Sequence, residues 1–371
     1  MTDNTAMSGK ERIARIMKRQ PVDRIGLNEY YWSDTLREYA RQGYMKPDEP
    51  VEDHFGLDIQ IFRPFNMTLD LDFERRLVGE TETTEVYRDG NGAVLRTFKS
   101  RNSPPENIDF AIKEKDDWDK VRHLLINTDK RRVDFEGYRN ARAIAENAGR
   151  YFCCAVFGPF ALTQPVSGPE NVLAGIALEP DWVLDMTGVY SDLIIRLQET
   201  LFEAEGYPDA VWYYEDMGYK EHPFMSPDAY RRLIFPAHAR LTDYAHAHGL
   251  PVILHSDGFI EPLLPAIVEA GIDCLQPIEV KSGMDLLRIH RMYGEKIALM
   301  GGIDITALNT NDKEKIDREL ESKIPVVKNG YGYILHSDHS IPPDVSYDTL
   351  RYFTRRALEL GSYASNIPES K

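Results

Sequence analysis

Eight short apolar runs, rich in β-branched and aromatic residues, recur along the chain. Several of them end at clusters of glycine, proline or aspartate, as strands do where they pass into loops. Continuous apolar runs of this length suit strands that are buried on both faces. The predicted strands are residues 25–31, 57–65, 151–158, 210–216, 251–257, 274–280, 296–302 and 332–338.

Helical patterns lie between most of these strands. One of them starts at Ser226-Pro227, where serine suits the N-cap and proline the first helical position, and stops at Gly249. The alternation predicts a single α/β domain over residues 1–371, a (β/α)8 TIM barrel with an N-terminal helical segment. The predicted helices are residues 171–205, 226–248, 261–270, 284–293, 313–327 and 348–361.

Residues 80–126 interrupt this rhythm after the second strand. Residues 82–99 alternate in polarity on both sides of Asp89-Gly90-Asn91-Gly92, which is a strong β-hairpin signal. Residues 113–126 have the pattern of a charged helix. We expect this hairpin and helix to form an insertion in the second βα loop, without a core of its own.

The charge balance narrows the class of protein. The chain has 44 Lys and Arg against 60 Asp and Glu, a formal net charge of −16, which argues against nucleic acid as a partner. No apolar run approaches the roughly 20 residues that a membrane helix needs, and the first residues are polar rather than a signal peptide. Three cysteines are too few for a disulfide framework. We expect a cytoplasmic enzyme whose oligomeric state stays open.

The carboxyl ends of the strands are where barrels of this kind keep their active sites. Aromatic residues crowd the first four predicted strand ends, whereas carboxylates and histidines crowd the last four. The aromatic residues are either ordinary barrel packing or a wall for a flat aromatic ligand. The candidates for that wall are Tyr30, Trp32, Phe62, Trp212 and Tyr214.

The pair His255-x-Asp257 ends the fifth predicted strand. Residues i and i+2 of a strand point the same way, so both side chains can converge on one point. Imidazole and carboxylate are ligands that suit Zn²⁺. The pentapeptide Ile-Leu-His-Ser-Asp occurs at 253–257 and again at 334–338. The alternative is two structural histidines with aspartate partners.

Four other strand-end residues carry possible chemistry. Glu215 is a candidate general base, metal ligand or helix anchor, and Asp304 either binds substrate or caps the next helix. Arg63 either clamps a carboxylate or phosphate or forms an ion pair with a neighbouring acid. Glu279, at the sixth strand end, is a further candidate for substrate binding.

Four segments resemble the uroporphyrinogen decarboxylase superfamily, and the resemblance extends over nearly the whole chain. They are Arg-Gln-Pro-Val-Asp-Arg at 19–24, Glu-Asp-Met-Gly-Tyr-Lys at 215–220 running into Ser226-Pro227, Ile-Leu-His-Ser-Asp-Gly at 253–258 and Met-Gly-Gly-Ile-Asp at 300–304. The resemblance implies a (β/α)8 barrel, and one of two activities. These are the cofactor-free decarboxylation of a tetrapyrrole and zinc-dependent methyl transfer involving a corrinoid protein.

The decarboxylase branch fits this sequence poorly. Members of that branch share an arginine-rich loop after the first strand and an aspartate at the end of the second strand. Here the first strand leads into the acidic and aromatic residues 28–32, and Phe62-Arg63 stands at the second strand end. A substrate with many carboxylates needs several cations, and this mouth is acidic.

The methyltransferase branch fits better, with one departure. The resemblance is to thiol-methylating members that carry His-x-Cys on the fifth strand and a further Cys after the eighth. In this chain the pair is His255-x-Asp257, and the third ligand falls at or near His339. Oxygen and nitrogen donors in place of thiolates make zinc a stronger Lewis acid toward oxygen. The remaining ligands stay open among Glu215, Glu279, His336, Asp338 and His339.

The resemblance therefore implies a zinc-dependent methyltransferase component of an O-demethylase. It would move a methyl group from a methoxylated, aromatic substrate to the cobalamin of a separate corrinoid protein. Glu215 would be an exchangeable ligand or a proton donor. Two alternatives remain: a carboxy-lyase of the uroporphyrinogen decarboxylase type, and a binding barrel that has lost catalysis.

Overall fold

The barrel predicted from the apolar runs is present in the computed structural model, which describes residues 7–100 and 105–363. Eight parallel strands form one sheet, in the neighbour order β1-β12-β11-β10-β9-β8-β7-β2. These strands are β1 (Gly26–Leu27), β2 (Ile59–Phe62), β7 (Tyr151–Phe157), β8 (Ala210–Tyr214), β9 (Val252–His255), β10 (Cys274–Gln276), β11 (Ala298–Met300) and β12 (Tyr333–Leu335). All eight lie within predicted strands, although the observed strands are shorter.

Asp58 joins the two edges of this sheet. Its backbone N–H donates a hydrogen bond to the Leu27 carbonyl at 2.8 Å, and its carboxylate accepts one from the Leu27 N–H at 2.8 Å. The same carboxylate forms ion pairs with Arg12 at 2.7 Å and with Arg24 at 2.8 Å. Arg12 also binds Asp23 at 2.7 Å. A buried network of charges therefore closes the barrel at the amino-terminal end of its strands.

Fifteen α-helices lie in the described part of the chain, and most of them connect one strand to the next. They are α1 (Gly9–Met17), α2 (Ser33–Arg41), α3 (Val51–Phe55), α4 (Lys115–Val121), α5 (Phe135–Ala148), α6 (Gln164–Ser167), α7 (Pro169–Leu178), α8 (Pro180–Glu205), α9 (Pro227–Leu233), α10 (Phe235–Ala247), α11 (Leu264–Glu269), α12 (Leu286–Tyr293), α13 (Ile305–Asn309), α14 (Lys313–Val327) and α15 (Tyr347–Leu360). None of the described helices has the length and apolarity that crossing a membrane requires.

Two predicted helices are each divided by a proline. The helix predicted at 171–205 is α7 followed by α8, with Pro180 at the start of α8. The helix predicted at 226–248 is α9 followed by α10, with Pro236 in the first turn of α10. Proline lacks an N–H and clashes with the preceding turn, so each helix restarts there with proline in its tolerated first turn.

The core has two layers, one inside the barrel and one between its strands and the helices. Interior residues of β7 to β12 pack with Ile13, Ile16 and Met17 of α1. Gly26 of β1 leaves the room for this packing, because a Cβ there would lie 2.7 Å from Ile13 Cδ1. Helix α1, the predicted N-terminal helical segment, therefore packs its apolar face against the barrel interior.

The insertion after β2 is a four-stranded antiparallel sheet, rather than the single hairpin that the sequence predicts. We call it the roof sheet; its strands are β3 (Arg76–Glu80), β4 (Thr84–Arg88), β5 (Ala93–Phe98) and β6 (Glu106–Phe110). The predicted turn between β4 and β5 is confirmed, since Asp89 Oδ1 accepts hydrogen bonds from the N–H groups of Asn91 and Ala93. The outer strands carry weaker alternation and were not predicted.

Backbone contacts attach the turn of the roof sheet to the loop after β2. Asp70 N–H donates to the Gly90 carbonyl at 2.9 Å, and Leu69 N–H donates to Asn91 Oδ1 at 2.9 Å. The buried guanidinium of Arg132 donates in turn to the Leu69 carbonyl at 3.1 Å. The roof sheet is thus tied to the rest of the chain by hydrogen bonds at its turn.

Candidate active site and its carboxylate–histidine cluster

Three side chains that could bind a metal meet at the carboxyl ends of β8 and β9. They are Asp216, His255 and Asp257, and one ligand atom from each lies within 4.8 Å of the other two. His255 Nε2 is 3.3 Å from Asp216 Oδ1 and 3.8 Å from Asp257 Oδ2. The predicted pair His255 and Asp257 is therefore brought together, and Asp216 joins it.

Strand register explains why Asp216 is the third member. Tyr214 of β8 pairs with His255 of β9, so two residues beyond this pair Asp216 and Asp257 come side by side. Trp212 and Tyr214 pack inside the barrel, and alternation along the strand directs Asp216 to the same side. Glu215 falls on the opposite side.

Gln276, at the end of β10, fixes the orientation of His255. The His255 ring donates from Nδ1 to Gln276 Oε1 at 2.5 Å, while the Gln276 amide group lies 3.4 Å from Nε2 of His336. In the protonated ring, Nε2–H faces Asp216; in the neutral ring with its proton on Nδ1, the lone pair of Nε2 faces the two aspartates and is free to bind a metal. A carbonyl oxygen behind a histidine is the usual second partner of a metal-binding imidazole.

The electrostatics of the cluster are those of anionic groups held close together. Burial, followed by the neighbouring charges of Asp216 and Glu279, raises the pKa of Asp257 above its usual value. Burial opposes protonation of His255, but the hydrogen bond and charges of the aspartates outweigh it and raise its pKa. Burial also acts against the charged form of Asp216, yet the hydrogen bond from His255 lowers its pKa overall.

This donor set fits a divalent metal. One imidazole nitrogen and two carboxylates are common zinc ligands in catalytic sites, where a coordination position is left for water or substrate. A cation between Asp216 and Asp257 would also relieve the repulsion that raises the pKa of Asp257. The three residues therefore offer suitable ligand atoms, and a bound cation would offset the repulsion between their carboxylates.

A cavity of about 440 Å³ opens between the cluster and the roof sheet. Asp216, His255 and Tyr214 line it from the barrel, and Phe157 from the end of β7. The remaining lining residues are Asp89, Ala93, Leu95, Pro105 and Asn107 of the insertion and Ala161, Gln164, Pro165 and Pro169 of the segment after β7. The cavity is large enough for one small organic molecule.

Aromatic rings form one side of this site. The Tyr214 ring stacks on Trp212 with centroids 5.9 Å apart, and its hydroxyl hydrogen-bonds to that of Tyr30. The guanidinium carbon of Arg63 lies 4.2 Å from the Tyr214 ring centroid and 5.6 Å from that of Phe157. Four predicted substrate-binding residues, Tyr30, Arg63, Trp212 and Tyr214, are thus gathered at one side of the mouth.

A second cavity of about 320 Å³ adjoins the first at Tyr214, which lines both, and Arg63 lines the second cavity. Glu29 lines it, and its carboxyl group accepts hydrogen bonds from the Tyr30 N–H and from the N–H and hydroxyl of Ser337. Burial dominates over these hydrogen bonds and raises the pKa of Glu29 to about 8. The raised pKa favours the protonated form of Glu29 near neutral pH.

Glu215 is directed away from the cluster. Its fully buried carboxylate accepts hydrogen bonds at 2.8 Å from the N–H groups of Phe160 and Ala161, and it lies 2.9 Å from His238 Nε2. A Cβ on Gly158 would lie 2.3 Å from Glu215 Oε2, so glycine is required for this approach. Of the three roles considered for Glu215, the structure corresponds to the anchor of a helical segment, here the turn after β7.

Asp304 and Glu279 also bind backbone groups. Asp304 is the N-cap of α13 and accepts from the Thr306 N–H at 2.8 Å, which is the capping role considered for it. Glu279 accepts from the Gly258 N–H at 2.6 Å and lies 3.3 Å from Lys281 Nζ. Glu279 thereby holds the loop that follows Asp257.

Phe62 and Trp32 lie away from the cavity lining. Phe62 packs in the layer between strands and helices, where its ring approaches Gly137 of α5. Trp32 is 49% exposed and stacks on His339 with centroids 6.2 Å apart. His339 lies outside the three-residue cluster, although it is near enough for its charge to oppose the rise in the pKa of Asp257.

The second Ile-Leu-His-Ser-Asp segment differs from the first. Burial lowers the pKa of His336 to about 4, and its ring contacts the Ser337 carbonyl. Asp338 accepts hydrogen bonds from the N–H groups of Val280 and Ile305. Both side chains therefore have structural partners, which is the alternative considered for this repeat.

Sequence reasoning considered the pair Glu215-Asp216 but selected Glu215 as the candidate, and it missed Gln276 and the roof. Asp216 had a signal, since it shares the alternation of Trp212 and Tyr214. Gln276 had none, because a single polar residue at a strand end does not reveal its partners. The roof residues had none either, because their place over the mouth depends on tertiary packing.

The fold and the cluster define a (β/α)8 barrel with a candidate metal centre at the carboxyl ends of its strands. A sequence profile of uroporphyrinogen decarboxylase (URO-D) matches residues 115–360. The chain belongs to this family.

Two relatives carry different activities in their names. The chain is 29% identical over 121 residues to a uroporphyrinogen decarboxylase of Arthrobacter sp. (strain FB24) and 24% identical over 153 residues to a methylated-thiol–coenzyme M methyltransferase of Methanosarcina mazei. The alignments span 33% and 41% of this chain, and 34% and 39% of those proteins. Similarity over about a third of each relative leaves the activity of this chain to be argued from its site.

A solved structure extends the likeness over the whole fold. A methyltransferase from Methanosarcina mazei superposes with a TM-score of 0.67, covering 95% of this chain and 99% of its own, at 14% identity. At this identity the superposition supports the barrel fold alone.

Proposed function

We propose that this protein is a zinc-dependent methyltransferase that moves a methyl group from a methoxylated aromatic substrate to the cobalt of a corrinoid carried by a partner protein. The observation that carries the proposal is the cluster of Asp216, His255 and Asp257 opening into a cavity with an aromatic side. The relative that is named a methyltransferase supports methyl transfer in general terms.

Zinc would be held by Asp216, His255 and Asp257, with His339 as the candidate further ligand near Asp257. Bound there, Zn²⁺ supplies Lewis acidity toward an ether oxygen, which lowers the cost of releasing a phenolate. The absence of cysteine from this donor set favours an oxygen-bearing substrate over a thiol.

The protein's own residues bind and orient the aromatic ring. Tyr214 and Phe157 line the cavity with aromatic surface, and packing against such surface holds a flat ligand in one orientation. The roof sheet covers the ring and excludes water, which strengthens electrostatic interactions within the site. Trp212 keeps Tyr214 in place by stacking beneath it.

The transfer breaks the bond between the methyl carbon and the ether oxygen, whose electron pair stays on the oxygen. A bond forms between the methyl carbon and cobalt, with the electron pair that cob(I)alamin brings. The phenolate then takes up one proton. Tyr214 bears a hydroxyl at this cavity and is hydrogen-bonded to Tyr30, and both line the second cavity with the protonated Glu29. These groups offer a proton on the substrate side of the site.

A tetrapyrrole decarboxylase is less well supported. The two mouth cavities are lined by the carboxylates Asp89, Asp216 and Glu52 and by one arginine, Arg63. A substrate with many carboxylates would meet a largely acidic surface there. The donor set of the cluster would also have no role in a cofactor-free reaction.

The first test is zinc content, measured by plasma mass spectrometry on protein purified without chelator. We expect about one zinc per chain in the wild type, as for a mononuclear site, and its loss in His255→Ala and in Asp257→Ala. His246→Ala is the matched control, because His246 also pairs with an aspartate, at 2.8 Å, but on the helical surface. Wild-type protein that holds no zinc would refute the mechanism.

The second test is methyl transfer to free cob(I)alamin, followed by its absorbance change to methylcobalamin. The substrates are anisoles with neutral and charged ring substituents. We expect turnover in the zinc-loaded wild type and in His246→Ala, and none in His255→Ala. Zinc binding without turnover of any anisole would redirect the function to a carboxy-lyase or to binding alone.

A further inference from the structure

Arg63 is a cation at the barrel mouth without a carboxylate partner among the described residues. It directly follows β2, and its side chain is exposed. Its guanidinium group lies over aromatic rings, with the guanidinium carbon 4.2 Å from the Tyr214 centroid and 5.6 Å from the Phe157 centroid, and it also hydrogen-bonds to Tyr214. Within the described ranges, no Asp or Glu oxygen lies within ion-pair distance of it. The ion pair that the sequence left open as an alternative is therefore not formed.

The position of Arg63 relates it to the proposed reaction centre. The Tyr214 ring centroid lies 4.2 Å from the Arg63 guanidinium carbon and 5.0 Å from the His255 ring centroid, so at most about 9 Å separates the cation from the histidine. One benzene ring with a substituent at each end spans such a distance. A ring with its ether oxygen at the cluster and its opposite substituent directed past Tyr214 would place that substituent near Arg63, in the second cavity.

The surrounding charge makes an anion at this position dependent on Arg63. Asp89, Asp216 and Asp257 lie at the cavity or the cluster, and the chain as a whole carries a net charge of −16. An anionic ligand entering the cavity is repelled by these carboxylates unless a cation compensates them. Arg63 is the cation that the lining of the two cavities provides.

We propose that Arg63 is a specificity-determining residue that binds a carboxylate on the ring of the substrate, opposite the methoxy group. The inference rests on the proposed methyl transfer and narrows its substrate class to methoxybenzoates. The guanidinium group suits this role because its planar N–H fork binds a carboxylate with two parallel hydrogen bonds. Ring faces under the guanidinium leave its edge N–H groups available for those bonds.

The test compares 4-methoxybenzoate with 4-methoxybenzamide, which has nearly the same shape and no charge. Dissociation constants are measured by isothermal titration calorimetry on the zinc-loaded protein, without any corrinoid. We expect the wild type to bind the benzoate at least tenfold more tightly than the amide. Arg63→Met should weaken benzoate binding by about 10- to 100-fold, as for loss of a charged hydrogen-bonding partner. Amide binding should change little, and Arg63→Lys should fall between the two.

Arg75→Met is the matched control. The Arg75 guanidinium carbon also lies over a ring, 3.5 Å from the Tyr87 centroid, but Arg75 lines neither mouth cavity. We expect this variant to keep the wild-type preference for the benzoate. Equal binding of the two ligands by the wild type, or an equal loss of both in Arg63→Met, would overturn the assignment of Arg63.

The outcomes separate this inference from the proposed function. A benzoate preference that depends on Arg63, without conversion of cob(I)alamin, supports the carboxylate site and refutes methyl transfer. Turnover of both ligands with equal KM in the wild type supports methyl transfer and refutes the carboxylate site. In a protein with both properties, Arg63→Met raises KM for the benzoate far more than it changes kcat.

Discussion

Replacement of Gln276 by leucine tests how the candidate metal site is held. Gln276 is 1% exposed, and its side chain lies between His255 and His336. Leucine is similar in size, so the change removes the amide while leaving little empty volume. The Nδ1–H group of His255 then loses its acceptor, and nothing fixes Nε2 toward Asp216 and Asp257.

The magnitude follows from two independent arguments. Loss of the hydrogen-bonding partner behind a metal-binding histidine costs about 10- to 100-fold in metal affinity, which corresponds to about 1.4 to 2.7 kcal/mol. A buried donor without an acceptor costs about 1 to 3 kcal/mol. The ranges overlap, and we expect zinc affinity in Gln276→Leu to fall at least tenfold. Gln276→Glu retains an acceptor for His255 and should keep more of the affinity.

The assay is a competition titration of zinc against a chromophoric chelator at constant pH, with thermal unfolding measured on the same samples. Gln198→Leu is the control, since Gln198 is also fully buried but bonds to Tyr213 on the helical side of the barrel. That variant should lower the melting temperature and leave zinc affinity unchanged. Equal zinc affinity in Gln276→Leu and the wild type would refute the assignment of His255 as a ligand oriented by Gln276.

Three further predictions concern neighbouring and distant charges. Asp216→Asn should lose zinc. Glu215→Gln should keep zinc and lose about 1.5 to 3 kcal/mol of unfolding free energy, because its buried hydrogen bonds are weakened. Zinc analysis and urea titration check both, and the reverse result would show that strand alternation assigned the wrong ligand. Arg12→Met should lose about 1.5 to 3 kcal/mol, because the buried Asp58 keeps Arg24 but loses its charged hydrogen bond from Arg12, as does Asp23. The half-exposed Arg15→Met should lose less than about 1 kcal/mol. Urea titration measures both, and equal losses would contradict the buried network. Burial opposes the charged form of Asp23, but Arg12 lowers its pKa overall. The stability from that pair is therefore present above the ordinary aspartate pKa and is lost as pH falls through the lowered value. If the difference in unfolding free energy between the wild type and Arg12→Met does not narrow at acidic pH, this assignment is wrong.

The strands and their order were predictable because burial on both faces leaves a continuous apolar run for each strand. Their ends were less predictable, since they depend on where neighbouring strands stop forming hydrogen bonds. The break at Pro236 was missed because the apolar pattern continues across it. A proline in a first turn indicates the start of a new helix only when the turn before it is recognised as the end of the preceding helix.

The candidate site was predictable where strand alternation acts and not where tertiary contacts decide. His255 and Asp257 follow from a two-residue spacing on one strand. On β8 the same rule, counted from Trp212 and Tyr214, assigns Asp216 rather than Glu215 to the mouth. On β2 it assigns Phe62 to the outer layer. No local pattern indicates that Gln276 lies behind His255, because that contact joins β9 to β10.

The roof sheet and the cluster come from separate stretches of the chain. The cluster lies on β8 and β9, within the region that matches the family, whereas the roof sheet ends at residue 110, before the match begins at residue 115. Two separate segments therefore have separate tasks: one carries the candidate metal ligands, and the other forms part of the cavity wall above them. Under the proposed function, a different insertion grafted between β2 and α4 should change which substrates enter, while the candidate metal ligands keep their places on the strands.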